Sequence, residues 1–348
     1  MCTCQVAQLP EAGQSDGCER RREHHSEEAV GPPVRGSALS SPVALVTGAS
    51  RGMGRAAAIA LARNGFDVVV TARTVREGDG RTVSSSSADG SAPVPIPGSL
   101  ESTAAEIEAV GGRASVAPMD LTDRASVTHA MDRALAAWGR IDVVFNNAIY
   151  QGPGPMDRVL DLSLDLAETI MRADYIHQLL IVQKVLPQML ERGSGRIINM
   201  LSNAAYATPP APAGEGGWGL GYAAAKAAFH RVTDMCHVEF ASRGIVNVSI
   251  EPGLVATEGM RVRGSLGTFA KVGIHPAPPE VAAEVVAWLA AAPVADVTPY
   301  SGQMVSTQKL CLELDLLPGW SPTPGTYSTN TSIPPPRSTM LDPRKTPR

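Results

Sequence analysis

A glycine-spaced turn between an apolar run and an alanine-rich stretch constrains this chain more than any other segment. The run is Val43 to Val46, the turn is Thr47-Gly48-Ala49-Ser50-Arg51-Gly52-Met53-Gly54, and Arg55 to Arg63 continues it. A strand, a glycine turn and a helix in that order is the context in which backbone closely approaches a pyrophosphate. Free N–H groups at the helix start then attract the phosphate charge. The spacing of Gly48, Gly52 and Gly54 is G-x-x-x-G-x-G rather than the commoner G-x-G-x-x-G. One such glycine could be a plain structural turn. Three together point to a nucleotide.

A second pattern lies far downstream. Tyr222 and Lys226 are four residues apart, so on a helix they share one face. An ammonium beside a phenol favours the phenolate and lowers a pKa that is about 10 when unperturbed. Such a pair can exchange a proton near neutral pH, as hydride transfer to or from a carbonyl requires.

With these motifs in this order, the chain resembles the short-chain dehydrogenase/reductase family over roughly residues 41 to 312. Further matches follow in sequence. Asp120, followed by Leu121, sits where the family contacts the adenine. Asn146-Asn147-Ala148 ends the run Ile141 to Phe145, like the family's Asn-Asn-Ala-Gly, and places Asn147 and Ala148 at the cofactor. Ser202 ends the run beginning at Ile197 and matches the active-site serine. Pro252-Gly253, followed by Thr257, matches the segment that passes the nicotinamide. The resemblance implies that Tyr222 exchanges a proton with the substrate oxygen while Ser202 holds that oxygen. It also implies that Lys226 binds the nicotinamide ribose, and that subunits pair through helices as a homodimer or homotetramer.

The expected fold is α/β: a single Rossmann-type doubly wound parallel sheet of about seven strands, with helices on both faces. Strands are expected at 43–47, 67–71, 114–118, 141–146, 195–201, 245–251 and 303–306. Helices are expected at 52–64, 99–110, 123–138, about 160–192, 221–242 and 279–291, joined by right-handed crossovers. The catalytic domain spans 41–317. It carries a serine-rich insertion at 77–98 expected as a flexible exposed loop, a Pro/Gly-rich active-site insert at 208–221 and a substrate lid at 254–279. Residues 1–40 and 318–348 lack apolar clustering and are expected to be disordered tails.

Composition excludes several classes. No apolar run approaches the roughly 18 to 20 residues of a membrane span, and the first residues lack the apolar segment of a signal peptide, so none is expected. A net charge of −4 gives no reason to expect nucleic acid. Five scattered cysteines make no disulfide framework, which fits a reducing, cytoplasmic compartment. Cys2, Cys4 and Cys18 with His24 and His25 match no zinc spacing, so no metal is expected.

Cofactor choice is read from charge. An acidic residue at the end of the second strand binds the ribose hydroxyls and repels a 2′-phosphate. Ala72 occupies that place, Arg73 follows, and Arg51 adds a cation within the glycine turn. Two guanidinium groups suit a phosphate, so NADP is expected over NAD. Departures from the family pattern are also visible. Asp174 stands where the family has an asparagine supporting a water relay to the lysine, and an ionised aspartate cannot donate. Ile149 replaces the glycine after Asn-Asn-Ala, and the insert before Tyr222, with Trp218 in it, is longer than usual. Two functions remain open at this point: an NADP-dependent oxidoreductase acting on a small alcohol or carbonyl, and a catalytically impaired nucleotide sensor or scaffold on the same fold.

Overall fold

A computed structural model describes residues 41–264, 266 and 275–322. The tail expectations for 1–40 and most of 318–348, and part of the lid, lie outside the described residues. The chain order is β1 (Val43–Thr47), α1 (Gly52–Arg63), β2 (Asp67–Thr71), β3 (Arg81–Thr82), β4 (Val94–Pro95), α2 (Leu100–Ala109), β5 (Ala114–Val116) and α3 (Arg124–Trp138). It continues through β6 (Val143–Asn146), α4 (Leu164–Met171), α5 (His177–Arg192), β7 (Gly195–Met200), α6 (Leu220–Phe240), β8 (Ile245–Glu251) and α7 (Glu258–Val262). A helix at Pro279–Ala291, the strand β9 (Met304–Ser306) and a helix at Thr307–Glu313 follow a little further on.

The main sheet has seven strands in the order β5-β2-β1-β6-β7-β8-β9, and every pairing in it is parallel. Strand order reverses between β1 and β6, which pair Ala44 with Val143 and Val46 with Phe145. This is the switch point at which a doubly wound sheet opens a crevice beyond its carboxyl ends.

Alternation explains how a continuously apolar strand serves two cores. Ala44 and Val46 of β1 join one cluster with Leu61 of α1 and Val285 and Val286 of the helix Pro279–Ala291. Val43 and Leu45 point the other way, into a cluster with Met131 of α3, Val185 of α5 and Phe229 of α6. Burying each such Val, Leu or Phe stabilises the fold by about 1.5–3 kcal/mol.

The structure departs from the sequence expectation in two places that matter for function. The long helix expected over 160–192 is interrupted by a π-helical turn at Arg172–Ile176. The insertion at 77–98 is not simply an exposed loop. It forms the antiparallel pair β3–β4, with Thr82 and Ile96 buried. Ser87 donates through its N–H to Asp157 Oδ1 at 2.7 Å and through its hydroxyl to Asp157 Oδ2, while Gly154 and Met156 N–H groups donate to Ser85 O. No helix among the described residues is long and apolar enough to cross a membrane.

Candidate active site

Beyond the carboxyl ends of β1, β2 and β6 lies a cleft of about 290 Å³. Gly48, Ser50, Arg51, Gly52 and Met53 line it from the glycine turn, and Arg73 from the end of β2. Asp120 and Leu121 reach it after β5, Asn147 and Ala148 after β6, and Thr257 from the lid.

The turn is held by β6. Thr47 Oγ1 accepts the N–H groups of Asn147 at 2.9 Å and Ala148 at 3.0 Å, and Asn147 Nδ2 donates to Thr47 O at 2.9 Å. Two of the glycines are needed by this closeness. Gly48 has φ +68°, and a β-carbon there would come within 2.8 Å of Asn147 Nδ2. At Gly54 a β-carbon would lie 2.3 Å from Gly48 O. Helix α1 has no side-chain cap and no acidic residue in its first turn. Its N-terminal N–H groups and dipole are therefore available to an anion, so the cradle fits the pyrophosphate of a dinucleotide.

At the far end, Ala72 is buried and Arg73 is exposed along the cleft. Asp120 Oδ1 accepts Thr122 N–H at 2.9 Å and Thr122 Oγ1 at 2.8 Å, which fixes the loop after β5. Arg51 is used differently from the sequence expectation. Its Nε donates to Pro97 O at 2.9 Å, and its Nη2 to Gly98 O at 2.7 Å and Thr74 Oγ1 at 3.1 Å. Those donors tie the turn to the insertion and are not free for a phosphate. Arg81 and Ile96 bring the insertion itself to the cleft wall, a contribution that its serine-rich sequence does not signal.

The other end of the cleft reaches Ile149 and Tyr150. Among the described non-glycine residues only Asp315 has positive φ, so Ile149 replaces the family's glycine without a left-handed backbone. Tyr150 N–H donates to Asp174 Oδ1 at 2.5 Å. Asp174 lies in the π-helical turn and is buried. One turn on, Gln178 Nε2 donates to Ala148 O and Asp174 O, both at 3.1 Å. Sequence reasoning missed Tyr150 and Gln178, since a backbone donor and a lone glutamine carry no pattern.

Lys226 is buried on α6, and its Nζ donates to Met200 O at the end of β7 at 2.8 Å. The same Nζ stands 5.9 Å from the centre of the Tyr222 ring. Ser202 Oγ donates to Asn203 Oδ1 at 3.3 Å and accepts Ala204 N–H at 3.2 Å. Tyr222 N–H donates to Pro155 O at 3.2 Å. Beneath them a buried polar chain fastens α6 to the sheet. Asn146 Nδ2 donates to Asn199 Oδ1, and Asn199 Nδ2 donates to Thr233 Oγ1 and Asn247 Oδ1, each at 2.9 Å. These bonds tie the helix to the sheet, although Asn146 Oδ1 and Asn247 Nδ2 at the ends of the chain are buried without a partner. Pro252 O accepts Gln308 Nε2 at 3.0 Å, which holds the Pro252-Gly253 segment in place.

Burial dominates the electrostatics. It lowers the Lys226 ammonium to about 8, and the Asp174 charge opposes that shift. It raises the Asp174 carboxyl to about 6, against the pull of Lys226 and the Tyr150 N–H. The Tyr222 phenol is also raised by burial; a hydrogen bond from Ser202 works against this, and Asp174 and Glu251 add to it. The net direction is opposite to the sequence expectation of a phenol tuned downward. Withdrawal from water penalises the phenolate more than its neighbours favour it.

The two remaining segments border this group. In the insert at 208–221, Trp218 is half-buried, and Arg158 donates to Ala213 O at 3.3 Å and pairs with Glu215 at 2.5 Å. The lid is clasped at its base, where Ala256 N–H donates to Ala277 O at 2.8 Å and Ala277 N–H to Leu254 O at 2.9 Å.

The family model for short chain dehydrogenases matches residues 42–96 and 95–265, and the chain belongs to that family of oxidoreductases. It is 33% identical over 222 residues to a 3-oxoacyl-[acyl-carrier-protein] reductase of Synechocystis, covering 64% of this chain and 77% of the relative. It is 29% identical over 272 residues to an uncharacterized NAD-dependent oxidoreductase of Mycobacterium tuberculosis, covering 74% and 92%. A metagenomic short-chain oxidoreductase solved in complex with NADP superimposes with a TM-score of 0.55 at 26% identity, covering 74% of this chain and 93% of that one.

Proposed function

We propose that this chain is an NADP(H)-dependent oxidoreductase that interconverts an alcohol and a carbonyl, with Tyr222 as the group that gives and takes the proton. The observation that carries this reading is the buried Lys226, held by Met200 O and facing the Tyr222 ring, with Ser202 beside the phenol. A buried lysine without a task is costly, and this one is placed where a proton must be managed. Bound in the cleft, the nicotinamide supplies or accepts the hydride. Ser202 orients the substrate oxygen, and Tyr222, held protonated by burial, donates to that oxygen in the reducing direction. Oxidation of NADPH in the presence of a panel of ketones, aldehydes and quinones tests the reading; no turnover with any of them, despite tight cofactor binding, would leave a nucleotide-binding protein instead.

The preference for NADP rests on Ala72 and Arg73. Ala72, and not an acidic residue, follows β2, and the exposed Arg73 after it lines the cleft. The solved NADP complex of a relative supports this choice, and the relative named NAD-dependent opposes it. Arg73→Ala is therefore expected to weaken NADPH by about tenfold or more, the range of one charge-assisted hydrogen bond, and to leave NADH almost unaffected. Titration of both cofactors decides it. Equal weakening, or a wild-type preference for NADH, overturns the assignment.

Asp174 gives the pH dependence a direction. Its charge supports the Lys226 ammonium, so removing it lets burial lower the lysine further below about 8. The limb set by its own carboxyl near about 6 disappears with it. In Asp174→Asn the kcat/KM profile is expected to lose its acid limb and to shift its alkaline limb to lower pH. Profiles that superimpose on the wild type would remove Asp174 from the proton path.

A further inference from the structure

Glu258 lines the cleft and has no part in the chemistry above. It opens α7, in the lid, immediately after Thr257. A β-carbon built on Gly52 would lie 3.6 Å from Glu258 Oε2 and 3.6 Å from Thr257 Cγ2, so the carboxylate hangs over the glycine turn. Its Oε2 is shielded from solvent and has no hydrogen-bond partner. An unsatisfied, desolvated carboxylate oxygen persists only where nearby positive charge offsets its cost.

That charge is present on the turn. Helix α1 has neither a side-chain cap nor an acidic residue in its first turn, so its N-terminal dipole is unmatched within its own helix. Arg51 and Arg55 flank it: burial lowers Arg51 and the Glu258 charge opposes that shift, while Arg55 is raised mainly by its bond to Glu106, with a smaller contribution from Glu258. Arg55 is also paired with Glu106, whereas Arg263 folds back on Gly259 O at 3.2 Å, on the lid side. The acid two hundred residues downstream thus delivers the negative charge that the start of α1 lacks.

We propose that Glu258 is a charge gate on the cofactor turn: its carboxylate occupies the field above Gly52 that a pyrophosphate needs, and must withdraw before a dinucleotide seats. The proposal rests on the reading of the cleft as a dinucleotide site. Two anions cannot share one helix dipole at this separation without strong repulsion, so dinucleotide binding and the seated position of Glu258 exclude one another.

Glu258→Gln keeps the shape and removes the charge. Affinities for NADPH and for inorganic pyrophosphate are measured by calorimetry, and the NADPH association rate by stopped-flow fluorescence, none of which needs turnover. The glutamine variant is expected to bind both ligands about tenfold more tightly, chiefly through faster association, with the difference shrinking as salt is raised. Glu258→Ala provides the same comparison if the glutamine variant does not fold. Unchanged or weaker binding of both ligands by a folded, charge-free variant overturns the gate. Failure of the wild type to bind NADPH or NADH would instead sink the dinucleotide reading, so the two failures are distinguishable.

Discussion

Tyr222→Phe is expected to reduce turnover by about 10² to 10⁴, the range attributed to general acid–base catalysis, with cofactor affinity unchanged. The substitution removes one oxygen and leaves the ring beside Lys226 Nζ, now 5.9 Å from its centre, so packing is nearly conserved. Ser202 cannot replace the lost group. With the phenol gone, its hydroxyl keeps Asn203 Oδ1 as acceptor and Ala204 N–H as donor, and neither is a base that could take up or return a proton. Steady-state rates on any substrate identified by the carbonyl panel, together with a cofactor titration, measure both parts. Near-native turnover in the phenylalanine variant would falsify the role of Tyr222.

Gly54→Ala is expected to disable the cofactor cradle. The added methyl would lie 2.3 Å from Gly48 O and 2.6 Å from Asn147 Nδ2. Neither neighbour is a flexible side-chain end: one is backbone, and the other is pinned by its bond to Thr47 O. Either the turn opens or α1 moves away, and overpacking of this kind costs about 1–3 kcal/mol. Placed on the phosphate site, that corresponds to roughly a 5- to 150-fold loss of affinity for NADPH. Fluorescence titration measures it, and a thermal melt shows whether the fold is retained. Affinity within twofold of wild type would mean that the turn does not hold the phosphates.

Much of the frame was legible because its signals are local. The apolar run before Gly48 specifies β1, and the order of strands and helices specifies a parallel sheet that reverses between β1 and β6. Tyr222 and Lys226 are read from helical spacing, and Ser202 from its match to the family's active-site serine. The sequence reading fails where a role depends on distant partners. The π-helical turn that presents Asp174 to Tyr150 N–H follows from a shift of hydrogen-bond register, which no residue type announces. The serines at 84–87 have the composition of a free loop, yet the buried Asp157 accepts two bonds from Ser87. Arg51 has the charge expected of a phosphate ligand, but charge type says nothing about which donors are already spent. The phenol of Tyr222 is raised and not lowered for a similar reason, because burial acts through everything packed around it.

The bonds of Arg51 to Pro97 O and Gly98 O bear on any attempt to shorten this protein. Trimming the insertion to the length of an ordinary family member would remove those carbonyls. It would strand a guanidinium that burial already disfavours. The excision is therefore not modular: a minimal version must also replace Arg51 with a residue that needs no such partners, and must give Asp157 a new donor in place of Ser87. Insertion and turn are exchangeable between relatives only as a matched set.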